Sequence, residues 1–164
     1  MAGHVYHELY VHIVWHTKDS RGILTKELEP IVHEHLWKKC LSLGGIYPHG
    51  VGGTPNHIHM TINYEPEWSV SEIVKNLKGA SAHDINKQFR RRALEWQRGY
   101  GAVSYGMRNL RTVLDYIKRQ KEHHATGSIH NRLERIRFDE GEYGARELGG
   151  RYVSGNVGDG EEDV

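Results

Sequence analysis

The run Pro55-Asn56-His57-Ile58-His59-Met60-Thr61-Ile62 alternates between two chemistries. In an extended chain, side chains two apart point the same way. His57, His59 and Thr61 therefore share one face, and Ile58, Met60 and Ile62 the other. Two neutral imidazoles side by side supply two ligands for a divalent cation, while the apolar face can pack on a core. The plain alternative is a polar strand face open to solvent. With 13 His in 164 residues, a His-x-His pair carries little weight alone, since short motifs recur by chance.

A second group, Tyr116-Ile117-Lys118-Arg119-Gln120, adds to it. Tyr116 and Gln120 are four apart and share a helix face. That face differs from the apolar stripe of Leu110, Val113, Leu114 and Ile117. Gln120 offers an oxygen as third ligand to a metal held by His57 and His59, and three protein ligands leave positions open for substrate. A metal so held would polarise a phosphoryl oxygen, and Tyr116 would attack phosphorus to give a covalent phosphotyrosine. Water is not the nucleophile in this scheme, so no carboxylate base is required, and none flanks the His pair. His123 and His124 read as surface or nucleic-acid-side residues. Adjacent helical positions point about 100° apart, so the two cannot both join one site.

The elements that must position these groups are legible in outline. Tyr6 to Thr17 reads as a first strand, with Leu9, Val11, Ile13 and Trp15 on one face and Tyr10, His12, Val14 and His16 on the other. Lys26 to Leu43 repeats at helical spacing and ends at Gly44-Gly45. Ile46 to Val51 and His57 to Tyr64 read as a hairpin across Gly52-Gly53-Thr54-Pro55. Ser69-Val70-Ser71-Glu72 is a capping box opening a second helix. Leu94 to Gln97 and Tyr100 to Tyr105 are expected to form a short hairpin around Arg98-Gly99. Asn109 is expected to cap a third helix, which carries Tyr116. The order predicts an α+β domain with a ferredoxin-like, RNA-recognition-motif-like antiparallel sheet, plus a C-terminal helix bearing the tyrosine.

The length suits one domain with a sizeable core, expected over residues 1–138. No apolar run approaches membrane-spanning length, no leader pattern is visible, and the one cysteine, Cys40, fits a reducing cytoplasm. The net charge of +1 hides an asymmetry. Residues 139–164 hold eight acids and two bases, a balance of −6, which leaves +7 on residues 1–138. A basic body suggests a polyanionic partner. The Gly-rich acidic tail is expected to be disordered.

The motifs together resemble the single-tyrosine HUH transposases of the insertion-sequence 200/605 type, a group that includes the transposases associated with repetitive extragenic palindromes. His57-Ile58-His59 and Tyr116 with Gln120 carry the resemblance. Val11 to Lys18, Leu77-Lys78-Gly79-Ala80-Ser81, Gly99 to Ser104 and Gln120 to His124 extend it across residues 4–138. The resemblance implies an endonuclease and strand transferase acting on single-stranded DNA hairpins. It implies Mg²⁺ (or Mn²⁺) as cofactor, a 5′-phosphotyrosine intermediate and a homodimer in the cytoplasm. By carry-over, His57 and His59 are metal ligands, Tyr116 is the nucleophile, and Gln120 assists metal binding. Candidate phosphate contacts are Lys18, Arg21, Lys75, Lys78, Arg90, Arg91 and Arg92, with His16, Tyr10 and His12 as stacking surfaces for unpaired bases. The alternatives are a domesticated, non-catalytic hairpin-binding protein on the same scaffold and a metal-dependent hydrolase of small phosphoesters.

Overall fold

The computed structural model describes residues 5–136; the acidic segment 139–164 lies outside the described residues. Four strands form one sheet: β1 (Tyr10–His16), β2 (Ile46–Thr54), β3 (His57–Tyr64) and β4 (Gly101–Tyr105). Their order is β2-β3-β1-β4, and every neighbouring pair is antiparallel. With α1 (Leu28–Leu43) between β1 and β2, and α2 (Val70–Phe89) between β3 and β4, this is the ferredoxin-like βαββαβ arrangement.

Period-two patterning decides what each sheet face buries. Val11, Ile13 and Trp15 of β1 join Ile58, Met60 and Ile62 of β3 in one core, under Leu28, Val32, Leu36 and Cys40 of α1 and Ile73, Val74, Leu77 and Ile85 of α2. The α1 residues recur every four positions, which keeps them on one helix stripe. Burying Ile58, Met60 and Ile62 contributes roughly 1.5–3 kcal/mol each. The capping box forms as expected: Ser69 Oγ accepts from the Glu72 N–H, and Glu72 returns the bond to the Ser69 N–H. Gly44 and Gly45 end α1 at φ of +72° and +74°, a region open mainly to glycine.

The second sheet face is covered too. Three helices follow β4: α3 (Leu110–Lys118), α4 (Gln120–Thr126) and α5 (Asn131–Glu134). Here α3 lies so close to β2 that a Cβ on Gly52 would stand 2.5 Å from the Ile117 carbonyl oxygen. All of β3 from His57 to Ile62 is therefore buried, on the imidazole side as well as the apolar side.

Several expectations are corrected. The first strand begins at Tyr10 rather than Tyr6, and β2 runs on to Thr54. Leu94 to Gln97 does not pair with Tyr100 to Tyr105. Both segments run along the first strand, which satisfies their backbone groups instead. Gln97 N–H donates to His16 O, Trp96 bridges to Thr17, and β4 pairs with β1. Asn109 makes no side-chain cap. A 3-10 turn over Met107–Asn109 runs straight into α3, so the Asn109 backbone is already helical. The tyrosine helix also breaks at Arg119 (φ −101°, ψ 20°), which starts α4 at Gln120.

Candidate active site

His57 and His59 stand on β3 with rings 4.9 Å apart, and both are buried. Each ring is tied back through Nδ1. The His57 Nδ1–H donates to Asn56 Oδ1 at 2.7 Å, with Thr54 Oγ1 2.8 Å away. His59 Nδ1 meets His12 Nε2 at 2.8 Å. The two Nε2 atoms then face the space under α3–α5, and neither makes a hydrogen bond. Burial, reinforced by the neighbouring His59, pushes His57 down to about 3, and burial lowers His59 as well. Both are neutral imidazoles near pH 7, the protonation state a metal ligand needs.

Tyr116 reaches the same space. On a helix Val113, Tyr116, Ile117 and Gln120 fall within a sector of about 100°, and that sector faces the sheet. Tyr116 thus lies beside the apolar stripe, not away from it: Val113, Tyr116, Ile117 and Gln120 are all buried, while Leu110 and Leu114 are only half-buried. The Tyr116 ring stands 5.9 Å from that of His59. Its hydroxyl donates to Glu134 Oε1 at 2.6 Å and accepts the His130 N–H at 3.0 Å. Burial, together with the bond to Glu134, pushes the phenol up to about 12. Gln120 is buried; its Nε2 donates to Tyr116 O at 3.4 Å and its Oε1 has no hydrogen-bond partner. The four residues singled out in the sequence therefore converge within one chain.

Two more residues join them. Glu134 of α5 brings its carboxylate to 3.6 Å from His57 Nε2 and 3.2 Å from His59 Nε2, and His124 Nε2 lies 3.4 Å from the same carboxylate. Burial works against ionisation of Glu134. The closeness of His59 and the Tyr116 hydrogen bond outweigh it and hold the carboxyl well below its ordinary range. An acid does stand beside the His pair, contrary to the sequence expectation. His124 stays exposed at the rim of the site with its Nε2 near Glu134, while the half-buried His123 stacks on the Tyr116 ring at 4.7 Å. His57, His59, His124 and Glu134 each offer one atom, all within 4.8 Å of one another, and could hold a metal ion. No local pattern marks His124 or Glu134, because both depend on how the chain turns after Arg119.

The expected nucleic-acid contacts divide. His16 stacks on His57 at 5.0 Å and 17°, beside the site. Lys18 and Arg21 follow it in the exposed loop after β1, with Lys18 3.3 Å from Glu95. His12 is fully buried and offers no stacking surface; its work is on His59. Tyr10 is half-buried against His49 at 5.6 Å. Lys75 and Lys78 lie on α2, across the sheet from the His pair. Lys78 is a structural clamp, with Nζ donating to Gln97 O at 2.6 Å and Gly99 O at 2.9 Å. Arg90 is the left-handed C-cap of α2 (φ 53°), and Arg91 sits over the Phe89 ring. Arg92 lines an open cleft with Lys18, Trp96 and Arg98.

The family model described as Transposase IS200 like matches residues 5–120. The chain belongs to the IS200-like transposase family. Transposases for insertion sequence element IS200 from Salmonella typhimurium (strain LT2) and Salmonella typhi are each 35% identical over 79 residues, covering 44% of this chain and 51% of theirs. The chain thus spans about half the length of the curated relatives it matches. Among solved structures, a Deinococcus radiodurans R1 protein assigned as a transposase superimposes with a TM-score of 0.57 at 21% identity, covering 73% of this chain and 97% of that one. A REP-associated tyrosine transposase bound to a REP hairpin gives a TM-score of 0.55 at 13% identity, covering 79% and 76%. At these identities the two structures speak for the transposase fold alone. Among the described residues, no helix is long and apolar enough to cross a membrane.

Proposed function

We propose that this IS200-like transposase cleaves and rejoins single-stranded DNA through a covalent bond between Tyr116 and a 5′-phosphate. One observation carries the reading. A tyrosine hydroxyl and two neutral, buried imidazoles with unpartnered Nε2 atoms meet in one space. Orphaned buried nitrogens are costly unless a ligand takes them, so the residues fit a divalent cation.

His57 and His59 would hold that cation, which when bound supplies charge stabilisation to a phosphodiester oxygen. Asn56, Thr54 and His12 fix the two rings from behind. The His130 N–H and Glu134 Oε1 hold the Tyr116 hydroxyl from two sides, leaving its oxygen little freedom. In the cleavage step the Tyr116 oxygen forms a bond to phosphorus and the bond from phosphorus to the 3′-oxygen breaks. The phenol loses its proton as that bond forms, and the departing 3′-oxygen ends as a hydroxyl after taking up a proton. Reversal rejoins the strand without an external energy source, because the phosphotyrosine conserves the phosphodiester.

The family, and a neighbour of the same fold solved bound to a REP hairpin, support this choice of substrate class. Lys18 and Arg21 follow His16 out of β1, at the end of the strand nearest His57. Arg92 and Arg98 line the cleft beside Lys18, a basic route for a backbone approaching the site.

The test is an adduct assay with a labelled single-stranded hairpin and Mn²⁺ or Mg²⁺. Wild type should give a denaturant-stable protein–DNA band. Tyr116→Phe should give none, while still binding the hairpin. Cleavage retained by Tyr116→Phe, or no adduct from wild type with any flanking sequence of a hairpin it binds, overturns the reading.

A further inference from the structure

We propose that His124 and Glu134, which follow the family-matched segment 5–120, are ligands of the site's cation together with His57 and His59, and that this donor set selects Mn²⁺ over Mg²⁺. The proposal rests on the reading above and concerns which residues complete the site.

Three observations carry it. First, the ligand atoms of the four residues lie within 4.8 Å of one another, a spacing at which one ion can touch all of them after small rotations. Second, both Nε2 atoms of the His pair are buried, unpartnered and turned toward the same carboxylate. Glu134 sets a half-buried carboxylate 3.2–3.6 Å from three imidazole Nε2 atoms, a charge that a bound cation would complement. Third, packing delivers Glu134 to this place. Leu133 is buried, and Arg132 Nη2 reaches Ser104 O at 3.5 Å. The Arg135 carbonyl presses on Gly101 so closely that no Cβ would fit there. The turn before α5 passes through Gly127 at φ +71°, which a side chain would strain.

Gln120 is the lesser donor in this arrangement. Its Oε1 is buried and unpartnered, but the charged carboxylate stands directly opposite both imidazoles. The carboxylate matters for the ion. Three nitrogens and one carboxylate suit Mn²⁺ and its transition-metal neighbours, whereas Mg²⁺ demands oxygen and retains its water.

The experiment is calorimetric titration of the full chain with Mn²⁺ and with Mg²⁺, for wild type, Glu134→Gln, Glu134→Asp, His124→Ala and Gln120→Ala, with folding checked by circular dichroism. Expected are Mn²⁺ binding at least about tenfold tighter than Mg²⁺, and an Mn²⁺ affinity about tenfold or more weaker in Glu134→Gln. His124→Ala should also be weakened, and Gln120→Ala should be affected less than either. Glu134→Asp, which keeps the carboxylate, should retain more affinity than Glu134→Gln and covers the case in which the amide variant does not fold. Unchanged Mn²⁺ affinity in Glu134→Gln and His124→Ala overturns the proposal. So does tighter binding in Glu134→Gln, which would make the carboxylate a plug rather than a ligand. Equal affinity for the two ions overturns the selectivity. These titrations contain no DNA, so a Tyr116-dependent adduct alongside unaltered metal affinities would remove this proposal and leave the proposed function standing.

Discussion

His12 decides which nitrogen of His59 carries hydrogen. The two rings face each other with His12 Nε2 2.8 Å from His59 Nδ1, and both are fully buried. Burial, reinforced by His59, pushes His12 down to about 3, and burial lowers His59 in turn, so the pair is neutral and shares one hydrogen across the contact. A cation on His59 Nε2 requires that nitrogen to be bare, which puts the hydrogen on Nδ1 and makes His12 the acceptor. His12→Leu removes the acceptor and keeps much of the volume. The metal-binding tautomer of His59 is then left with a buried, unpaired N–H, a cost of about 1–3 kcal/mol. That corresponds to roughly 5- to 150-fold in metal affinity, which overlaps the 10- to 100-fold typical of lost outer-shell partners of metal ligands. His12→Gln retains an amide oxygen that can accept, and should recover much of the loss. Calorimetric titration with Mn²⁺ reads both variants, with urea denaturation to confirm folding. A folded Leu variant that binds Mn²⁺ as tightly as wild type refutes the tautomer argument. Equal losses in Gln and Leu would assign the effect to ring volume instead.

Acid should destabilise the fold earlier than its carboxylates alone would. His12 and His57 sit at about 3 when folded against an ordinary 6.5, so the unfolded chain takes up their protons first. Their contribution is fully present above pH 6.5 and is lost as pH falls from 6.5 toward 3, at about 2 kcal/mol per imidazole by pH 5. Urea midpoints at pH 7.5 and pH 5 measure it, and a midpoint that does not move contradicts the assignment of both rings as buried and neutral. Gly52→Ala should cost about 1–3 kcal/mol, because the new Cβ would stand 2.5 Å from the Ile117 carbonyl oxygen and 2.8 Å from its Cγ2. The α3 helix must lift to relieve this, so adduct yield from Tyr116 should fall with stability. An unchanged urea midpoint would show that α3 is not seated on β2 as described.

The sequence made the sheet and half of the site legible for a local reason. Strand alternation set His57 and His59 on one face of β3, and helical spacing set Tyr116 near Gln120, without reference to anything distant. His12 was misread as a base-stacking surface, because alternation says which residues share a face but not what covers that face. Here α3–α5 cover it, and the cover turns a polar strand face into a dry site where imidazoles are neutral and their nitrogens go unpaired. His124 and Glu134 were missed for a related reason. Their approach to the His pair depends on the break at Arg119, the left-handed turn at Gly127 and the docking of Arg135 against Gly101, none of which has a periodic signature. The error over Leu94 to Gln97 has the same root: a short extended run can pair with its neighbour in sequence or with β1, and only the open edge of β1 decides. Chemistry in this fold therefore depends on closure as much as on motif. Under the proposed function the His pair can serve a metal only where a second layer covers it, and in this chain that layer brings Tyr116 and a carboxylate along with the cover.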